Sequence, residues 1–201
     1  MKIVSGKTIV LASSSARRKE LLQGLGLDYV VFPSSADEMV DEAVEPADYV
    51  RILAERKAQD VVQEYGKTHE EAFLVIGADT IVVLDGKVLG KPSSPEDAAR
   101  MLKVLQGKIH DVYTGVCVVD GQRGLLKSGF CRTRVTMKEL NDQRIQRYIG
   151  TGEPLDKAGA YGIQGKGALL IQGIEGDYFS VVGLPLGLTS DLLEEFGVQL
   201  L

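Results

Sequence analysis

The sequence predicts a mixed α/β fold, because short apolar runs rich in β-branched residues alternate with segments of helical amphipathic spacing. Hydrophobic residues make up 44% and charged residues 25% of the 201 residues, which is enough apolar material for a sizeable core and unlike a disordered chain. No linker rich in Pro, Gly or Ser divides the chain. We therefore expect one domain, residues 1–201, with two lobes.

The first part of the chain predicts two strands and two helices in alternation. TIVLA favours a buried strand, and ARRKELLQGLG favours a helix that has a leucine face and ends at glycine. A second strand, DYVVF, leads through an acidic connection to a long helix from Pro46 to about Tyr65. The apolar stripe of that helix leaves Lys57 outside it.

The middle of the chain predicts a hairpin. AFLVIGADTIVVLDGKVLG contains two apolar runs, with a turn at Asp85 and Gly86. The motif GADT is expected to interrupt the first run, which would place the carboxylate of Asp79 at a strand break. A helix then begins with Ser94 as its N-cap and Pro95 at its first position.

The rest of the chain predicts two more strands, VYTGVCVV and GLLKSGFCRTRVTM, around a DGQRG turn, and then an amphipathic helix, KELNDQRIQRYIG. The last third is rich in glycine, which predicts tight turns and close backbone contacts. Pro185 leads into a terminal helix that is expected to end near Phe196.

Composition excludes several classes of protein. A net charge of −5 argues against a broad nucleic-acid surface, so nucleic acid is not an expected partner. No stretch reaches the roughly 20 apolar residues of a membrane span, and the first apolar run is too short for a secretory signal, so a cytoplasmic location is expected. Cys117 and Cys131 lack zinc-type spacing and are expected to be buried reduced thiols.

The turn LASSSARRKELL poses a problem of charge. Arg17 and Arg18 stand at a helix start, where positive charge opposes the helix dipole at about 0.3–1 kcal/mol per residue. Serine hydroxyls, backbone N–H groups and two guanidinium groups together are suited to bind phosphate. Alternatively the three serines only cap the helix and the arginines are solvated; the spacing alone leaves both interpretations open.

Other polar residues have two interpretations each. Asp79 either positions and deprotonates a water or caps a turn through its own backbone. Lys57 either neutralises phosphate charge or is a solvated helix residue, whereas Lys91, between glycine and proline, has less freedom. Asp156 and Lys157 either form a structural ion pair or line a cleft. His69 and His110 are too isolated in the sequence to be expected as a metal pair. The loop acids Asp37, Asp41 and Glu42 are expected to form a solvated charge run.

The combined motifs resemble the Maf proteins, nucleoside triphosphate pyrophosphatases related in fold to the inosine triphosphate pyrophosphatases. The resemblance rests on LASSSARRKELL, GADTIVVLDGKVLGKP, GKIHDVYTG, EPLDKAGAYGIQGKGA and GDYFSVVGLPL, and it extends over almost the whole chain. It implies an elongated mixed-sheet fold with two lobes around a central cleft, and a homodimer. Within this family, the segment DKAGAYGIQG resembles that of the branch that hydrolyses dTTP and UTP. The family usually has proline where this chain has Ala16, which a helix start accepts.

The resemblance also implies a reaction and its residues. The reaction is metal-dependent hydrolysis of a nucleoside triphosphate to the monophosphate and pyrophosphate, by attack of water at the α-phosphate, as a house-cleaning activity on dTTP, UTP and modified pyrimidine nucleotides. Asp79 is implied as the general base, Lys57 and Lys91 as cations near the phosphates, and Glu38 with Asp79 as ligands of Mg²⁺ or Mn²⁺. The substrate contacts implied are Ser13, Ser15, Arg17, Arg18, Thr80 and Gln164.

Another class of function stays open at this point: a nucleotide-binding regulator of cell division or septum formation. A protein that only binds nucleotide has no need of Asp79 beside phosphate-binding cations, and an acidic chain is a poor general DNA binder. Other enzyme classes are disfavoured, because the chain lacks the GxxxxGK[ST] motif of P-loop proteins and the GxGxxG motif of Rossmann dehydrogenases.

Overall fold

The computed structural model describes residues 6–40 and 44–201, and its folded elements confirm a mixed α/β chain. The strands found in these ranges are β1 (Thr8–Leu11), β2 (Tyr29–Val31), β3 (Phe73–Leu84), β4 (Lys87–Leu89), β5 (Ile109–Asp120), β6 (Leu126–Met137) and β7 (Ile171–Glu175). They form one sheet in the order β2-β1-β3-β5-β6-β7, with β4 paired to β3. Strand β1 is parallel to both β2 and β3, whereas the β3–β4 and β6–β7 pairs are antiparallel.

Helices connect these strands. The α-helices of the described residues are α1 (Ala16–Gly24), α2 (Pro46–Tyr65), α3 (Pro95–Leu105), α4 (Asp142–Ile149), α5 (Tyr178–Val182) and α6 (Leu186–Glu194). Three short 3₁₀ helices precede β7, at Glu153–Asp156, Ala158–Ala160 and Gly165–Leu170. No helix among the described residues has an apolar stretch long enough to cross a membrane.

The chain divides into two compact units, which agrees with the predicted two lobes. The first unit contains the chain up to Asp79 together with Thr114–Cys131 and Gly183–Leu201, and the second contains Thr80–Tyr113 and Arg132–Val182. Each unit has its own apolar core. In the first unit the two faces of β3 contribute to separate clusters, one that includes α2 and another that includes α1 and α6. In the second unit α3 and α4 pack in a single cluster.

Several local predictions are confirmed by the element boundaries. Helix α2 begins at Pro46 and ends at Tyr65. The hairpin turn is at Asp85 and Gly86, both of which have positive φ angles, of 51° and 74°, as a two-residue turn of type I′ requires. The hydroxyl of Ser94 accepts a hydrogen bond from the backbone N–H of Asp97 and so caps α3.

The predicted strand break at GADT is wrong. Strand β3 continues from Phe73 to Leu84, and Asp79 lies buried within it. A glycine within a strand can mark a break, but it can also mark a place where another backbone packs closely. Gly77 is of the second kind, because a Cβ on it would lie 2.2 Å from the carbonyl oxygen of Ala54 on α2. The glycine therefore permits close contact of strand and helix within a continuous strand.

The end of the chain differs from the sequence prediction in two places. Helix α4 begins at Asp142, with Asn141 as its N-cap, rather than in the preceding KEL. Strand β7 was not predicted, because its residues IQGIE are short and interrupted by glycine, and its pairing with β6 is a long-range contact. The last helix, α6, ends at Glu194, close to the predicted end near Phe196.

Candidate functional site

The first unit brings the end of β1 next to the middle of β3. These strands are parallel neighbours, with Leu11 opposite Ile76, and the N–H of Ala12 donates to the carbonyl of Ile76 over 2.9 Å. The serine turn that follows β1 therefore begins beside the part of β3 that leads to Asp79. Because side chains alternate along a strand, Gly77 and Asp79 share one face, and the Gly77 backbone packs on Ala54 of α2.

Lys57 of α2 lies between two carboxylates. Its Nζ is 2.6 Å from Oδ1 of Asp79 and 2.6 Å from Oε1 of Glu38. The side chains of Lys57 and Asp79 are only 13% and 12% exposed, whereas that of Glu38 is 60% exposed. The solvated interpretation of Lys57 and the turn-cap interpretation of Asp79 are both wrong, since Asp79 is a buried strand residue that pairs with a nearly buried ammonium.

The serine turn has a structure beyond simple helix capping. Ser15 is the N-cap of α1, but its side chain makes no capping hydrogen bond to the described helix. Ser13 is buried, and its hydroxyl accepts from the backbone N–H of Ser15 and from Nη1 of Arg18, each over 3.2 Å. Arg18 also donates from Nε to the carbonyl of Gly183 over 2.8 Å. Arg18 is therefore held by the protein, so the solvated interpretation is wrong for this arginine.

The electrostatics of Arg18 reflect its surroundings. The pKa of the Arg18 guanidinium lies below its ordinary value, and burial is the main cause. The positive charge of Arg17 also lowers this pKa, whereas the carboxylates of Asp79 and Glu38 oppose the shift. An arginine remains protonated in such an environment. The first unit thus gathers two arginines, one lysine and two carboxylates around the turn between β1 and α1.

The loop that carries Glu38 is fastened to α2. Oδ2 of Asp60 accepts from the hydroxyl of Ser34 over 2.7 Å and from the backbone N–H of Ser35 over 2.8 Å. One turn earlier on α2, Nη1 of Arg56 donates to the carbonyl of Met39 over 2.5 Å. These bonds hold the loop on both sides of Glu38. Among the predicted loop acids, Asp37 accepts from the N–H of Met39, and Asp41 and Glu42 lie outside the described residues.

The other predicted site residues belong to the second unit. Thr80 is half-buried and follows Asp79 directly in β3, and Lys91 is exposed beyond β4, between Gly90 and the buried Pro92. Gln164 is half-buried and precedes the 3₁₀ helix Gly165–Leu170. The backbone N–H of Gly159 donates to the carbonyl of Gly90 over 3.0 Å, which joins the glycine-rich segment before Gln164 to the segment of Lys91.

The ion-pair interpretation of Asp156 and Lys157 is confirmed, since Nζ of Lys157 lies 2.6 Å from Oδ1 of Asp156. The two histidines are separate, as expected. His69 stacks on Tyr65, and His110 is buried with its Nε2 only 2.6 Å from the hydroxyl of Tyr161.

Two carboxylates of the first unit, Glu38 and Asp79, have the oxygen donors that a divalent cation prefers. Glu38 and Asp79 each point one oxygen at the ammonium of Lys57, so the two carboxylates are placed to share a cation. Magnesium prefers a few carboxylate and phosphate oxygens together with water. Among the described residues no group of three or more His, Cys, Asp or Glu side chains could hold a metal ion. A metal at Glu38 and Asp79 would therefore need further oxygen ligands.

Comparison with known proteins decides the family. A family model described as "Maf-like protein" matches residues 8–196. The chain belongs to the Maf family. It is 55% identical to a protein of Moorella thermoacetica over 95% of this chain and 96% of that protein. It is 49% identical to a protein of Acetivibrio thermocellus over 96% of this chain and 97% of that protein. Both relatives carry the name dTTP/UTP pyrophosphatase.

A solved structure is also similar to this Maf chain at a low level. It is titled "Nucleoside-triphosphatase / dITP/XTP pyrophosphatase" and comes from Mycobacterium abscessus. The alignment covers 65% of this chain and 72% of that chain, with 15% identity and a TM-score of 0.37. At this score the likeness supports no conclusion about fold or function.

Sequence reasoning missed the residues that support the Maf motifs. Asp60 lies on the polar side of α2, one turn after Lys57, and the i, i+3 spacing of these two residues is a signal that they share a helix face. Glu153 begins a 3₁₀ helix and bonds to backbone groups 13 and 14 residues later in the chain. No short-range pattern indicates such a bond, so only the folded chain reveals it.

Proposed function

We propose that this Maf protein hydrolyses nucleoside triphosphates, dTTP and UTP foremost, to the monophosphate and pyrophosphate. The name shared by its relatives supports this activity. The observation that carries the proposal is the nearly buried Lys57 ammonium between Glu38 and Asp79, beside the turn and helix start that contain Ser13 and Arg18. A site that only bound phosphate would gain nothing from two carboxylates, since like charges repel; water activation and metal binding require them.

In the proposed reaction Asp79 accepts a proton from a water molecule as the water oxygen bonds to the α-phosphorus. The bond between the α-phosphorus and the oxygen that bridges to the β-phosphate breaks, and pyrophosphate leaves. Lys57 holds the Asp79 carboxylate in place through their 2.6 Å contact. The exposed Lys91 neutralises charge on the phosphates and on the leaving pyrophosphate.

Substrate binding divides between the two ends of the nucleotide. Ser13, Ser15, Arg17 and Arg18 contact the phosphates in this proposal, which explains why a helix begins with two arginines and has no acidic residue in its first turn. At the other end, the amide of Gln164 pairs with the donor and acceptor edge of a pyrimidine, and Thr80 tunes the choice of base.

Glu38 and Asp79 would hold the divalent cation, Mg²⁺ or Mn²⁺, together with phosphate oxygens. The cation would supply neutralisation of the triphosphate charge. Chelation by EDTA should stop pyrophosphate release, and added Mg²⁺ or Mn²⁺ should restore it.

The test is pyrophosphate release from a panel of purified triphosphates that contains dTTP, UTP, CTP, GTP and pyrimidine-modified analogues. Asp79→Asn should reduce turnover by at least about a hundredfold and leave most nucleotide binding intact, since it removes the base but keeps one oxygen toward the cation and leaves the arginines and lysines in place. Asp85→Asn is the matched control: it makes the same change of charge at an exposed turn residue, where asparagine accepts the positive φ. Full turnover by Asp79→Asn would refute the assignment.

Two outcomes of this experiment separate the function classes. Turnover that is confined to pyrimidine triphosphates supports a house-cleaning or pool-control pyrophosphatase. Tight nucleotide binding by a wild-type protein that releases no pyrophosphate supports the regulator of cell division instead. We also propose a homodimer, which sedimentation velocity on the same protein tests directly.

A further inference from the structure

The backbone just after Gln164 is hydrogen-bonded to one carboxylate. Oε1 of Glu153 accepts from the backbone N–H of Lys166 over 3.1 Å, and Oε2 accepts from the N–H of Gly167 over 3.2 Å. Lys166 and Gly167 lie in the first turn of the 3₁₀ helix that begins just after Gln164, where backbone N–H groups have no partner within the helix. The Gln164 side chain itself makes no capping bond within the described helix, so Glu153 does the capping from outside the segment.

The contact between Glu153 and this turn is close. Gly165 has a φ of +63°, and a Cβ on it would lie 3.0 Å from Oε1 of Glu153. A left-handed glycine lets the chain reverse directly over the carboxylate, so that two successive N–H groups point to its two oxygens. The peptide that follows Gln164 is thereby set in one orientation.

The same segment is also held before Gln164. The hydroxyl of Tyr148 accepts from the N–H of Gly162 over 3.2 Å, and a Cβ on Gly167 would lie 2.2 Å from the carbonyl oxygen of Gly162. Tyr148 is buried in the core of the second unit. The backbone is thus held before Gln164 by the Tyr148 hydroxyl and after it by the Glu153 carboxylate, and neither group needs to touch a nucleotide.

We propose that Glu153 is a positioning residue that fixes the Gln164 amide and thereby sets base selectivity. The inference rests on the proposed function, in which Gln164 contacts the base. A side-chain amide discriminates bases only when its donor and acceptor are held in one orientation. Glu153 supplies that order through the backbone, because its carboxylate is an acceptor for two N–H groups at once.

The primary variant is Glu153→Gln. It keeps the size of the side chain but replaces one acceptor oxygen by an NH₂ group that cannot accept from an N–H. The matched control is Glu175→Gln, which makes the same change of charge in the same unit at a side chain that is 78% exposed. Selectivity is the ratio of kcat/KM for UTP to that for GTP.

Glu153→Gln should lower this ratio by about tenfold, the equivalent of one lost hydrogen bond, and leave the pH profile of kcat unchanged. The double variant Glu153→Gln/Gln164→Ala should be no less selective than Gln164→Ala alone, because Glu153 acts through Gln164. Hydrogen exchange of the Lys166 and Gly167 amides should accelerate by about tenfold, and core amides of the second unit should not change. Glu175→Gln should match wild type in every readout.

The proposal is overturned by wild-type selectivity in Glu153→Gln, by unchanged exchange at Lys166 and Gly167, or by additive losses in the double variant. If Glu153→Gln does not fold, Glu153→Asp is judged by the same criteria, since it keeps the charge but is too short to reach both N–H groups. If wild-type protein binds nucleotides without releasing pyrophosphate, the proposed function fails. The ratio of Kd values for UTP and GTP then replaces kcat/KM, and an unchanged ratio in Glu153→Gln overturns this inference too. A wild-type protein that binds neither nucleotide overturns both.

Discussion

His110 should make this protein lose stability as the pH falls from 7 to 4. Its side chain is only 2% exposed, and its Nε2 contacts the hydroxyl of Tyr161 over 2.6 Å. Its Nδ1 is buried with no hydrogen-bond partner among the described residues. Burial lowers the pKa of His110 from an ordinary 6.5 to about 4, with a smaller opposing effect of Asp111. Protonation would bury a cation with an unpaired N–H, so the folded state disfavours the protonated form.

The sign and size of the effect follow from linkage. The unfolded chain binds a proton at His110 below about pH 6.5, whereas the folded chain does so only near pH 4. Stability from this group is therefore complete at neutral pH and is lost as the pH falls from about 6.5 to about 4. A pKa difference of about 2.5, at ~1.36 kcal/mol for each pKa unit, corresponds to about 3 kcal/mol.

Urea unfolding of wild type and His110→Gln at several pH values between 7 and 4.5 measures this loss. Glutamine keeps a polar group toward Tyr161 but does not titrate, and subtraction of the two curves cancels the contribution of the carboxylates. Wild type should lose roughly 2.5 kcal/mol more than His110→Gln over this range. Tyr161→Phe keeps His110 buried and should retain most of the pH dependence. Identical pH dependence of wild type and His110→Gln would refute the reasoning.

Three further predictions concern the first unit. Gly77→Ala places a Cβ 2.2 Å from the Ala54 carbonyl and should cost about 3 kcal/mol in urea unfolding, whereas Gly187→Ala, with open space in α6, should cost nothing. Lys57→Met removes the ammonium that lies between Glu38 and Asp79 and should reduce pyrophosphate release roughly a hundredfold in a folded protein. Wild-type turnover by this variant would contradict the prediction. Asp60→Asn removes the charged acceptor of the Ser34 and Ser35 bonds and should reduce turnover less than Glu38→Gln does; equal turnover to wild type would show that the loop needs no fastening.

The candidate site was only partly predictable. The motifs nominated Asp79, Lys57 and Arg18, but each residue had a second interpretation as a turn cap or as a solvated charge. Burial and partners decide between these interpretations: Lys57 is 13% exposed between two carboxylates, and Arg18 donates to Ser13 and Gly183. Burial depends on what packs over a side chain, and that packing involves segments more than a hundred residues away for Arg18.

The sequence by itself determined the features that local chemistry controls. Pro46 opens α2, the Asp85-Gly86 pair forms the turn, and Ser94 caps α3, because each acts within three or four residues of itself. The tertiary structure alone decided that β3 passes unbroken through Gly77 and Asp79, and that Glu153 bonds to the turn after Gln164. The physical reason is range: turns and caps depend on neighbouring backbone groups, whereas close backbone contacts and buried ion pairs exist only after distant segments have packed together.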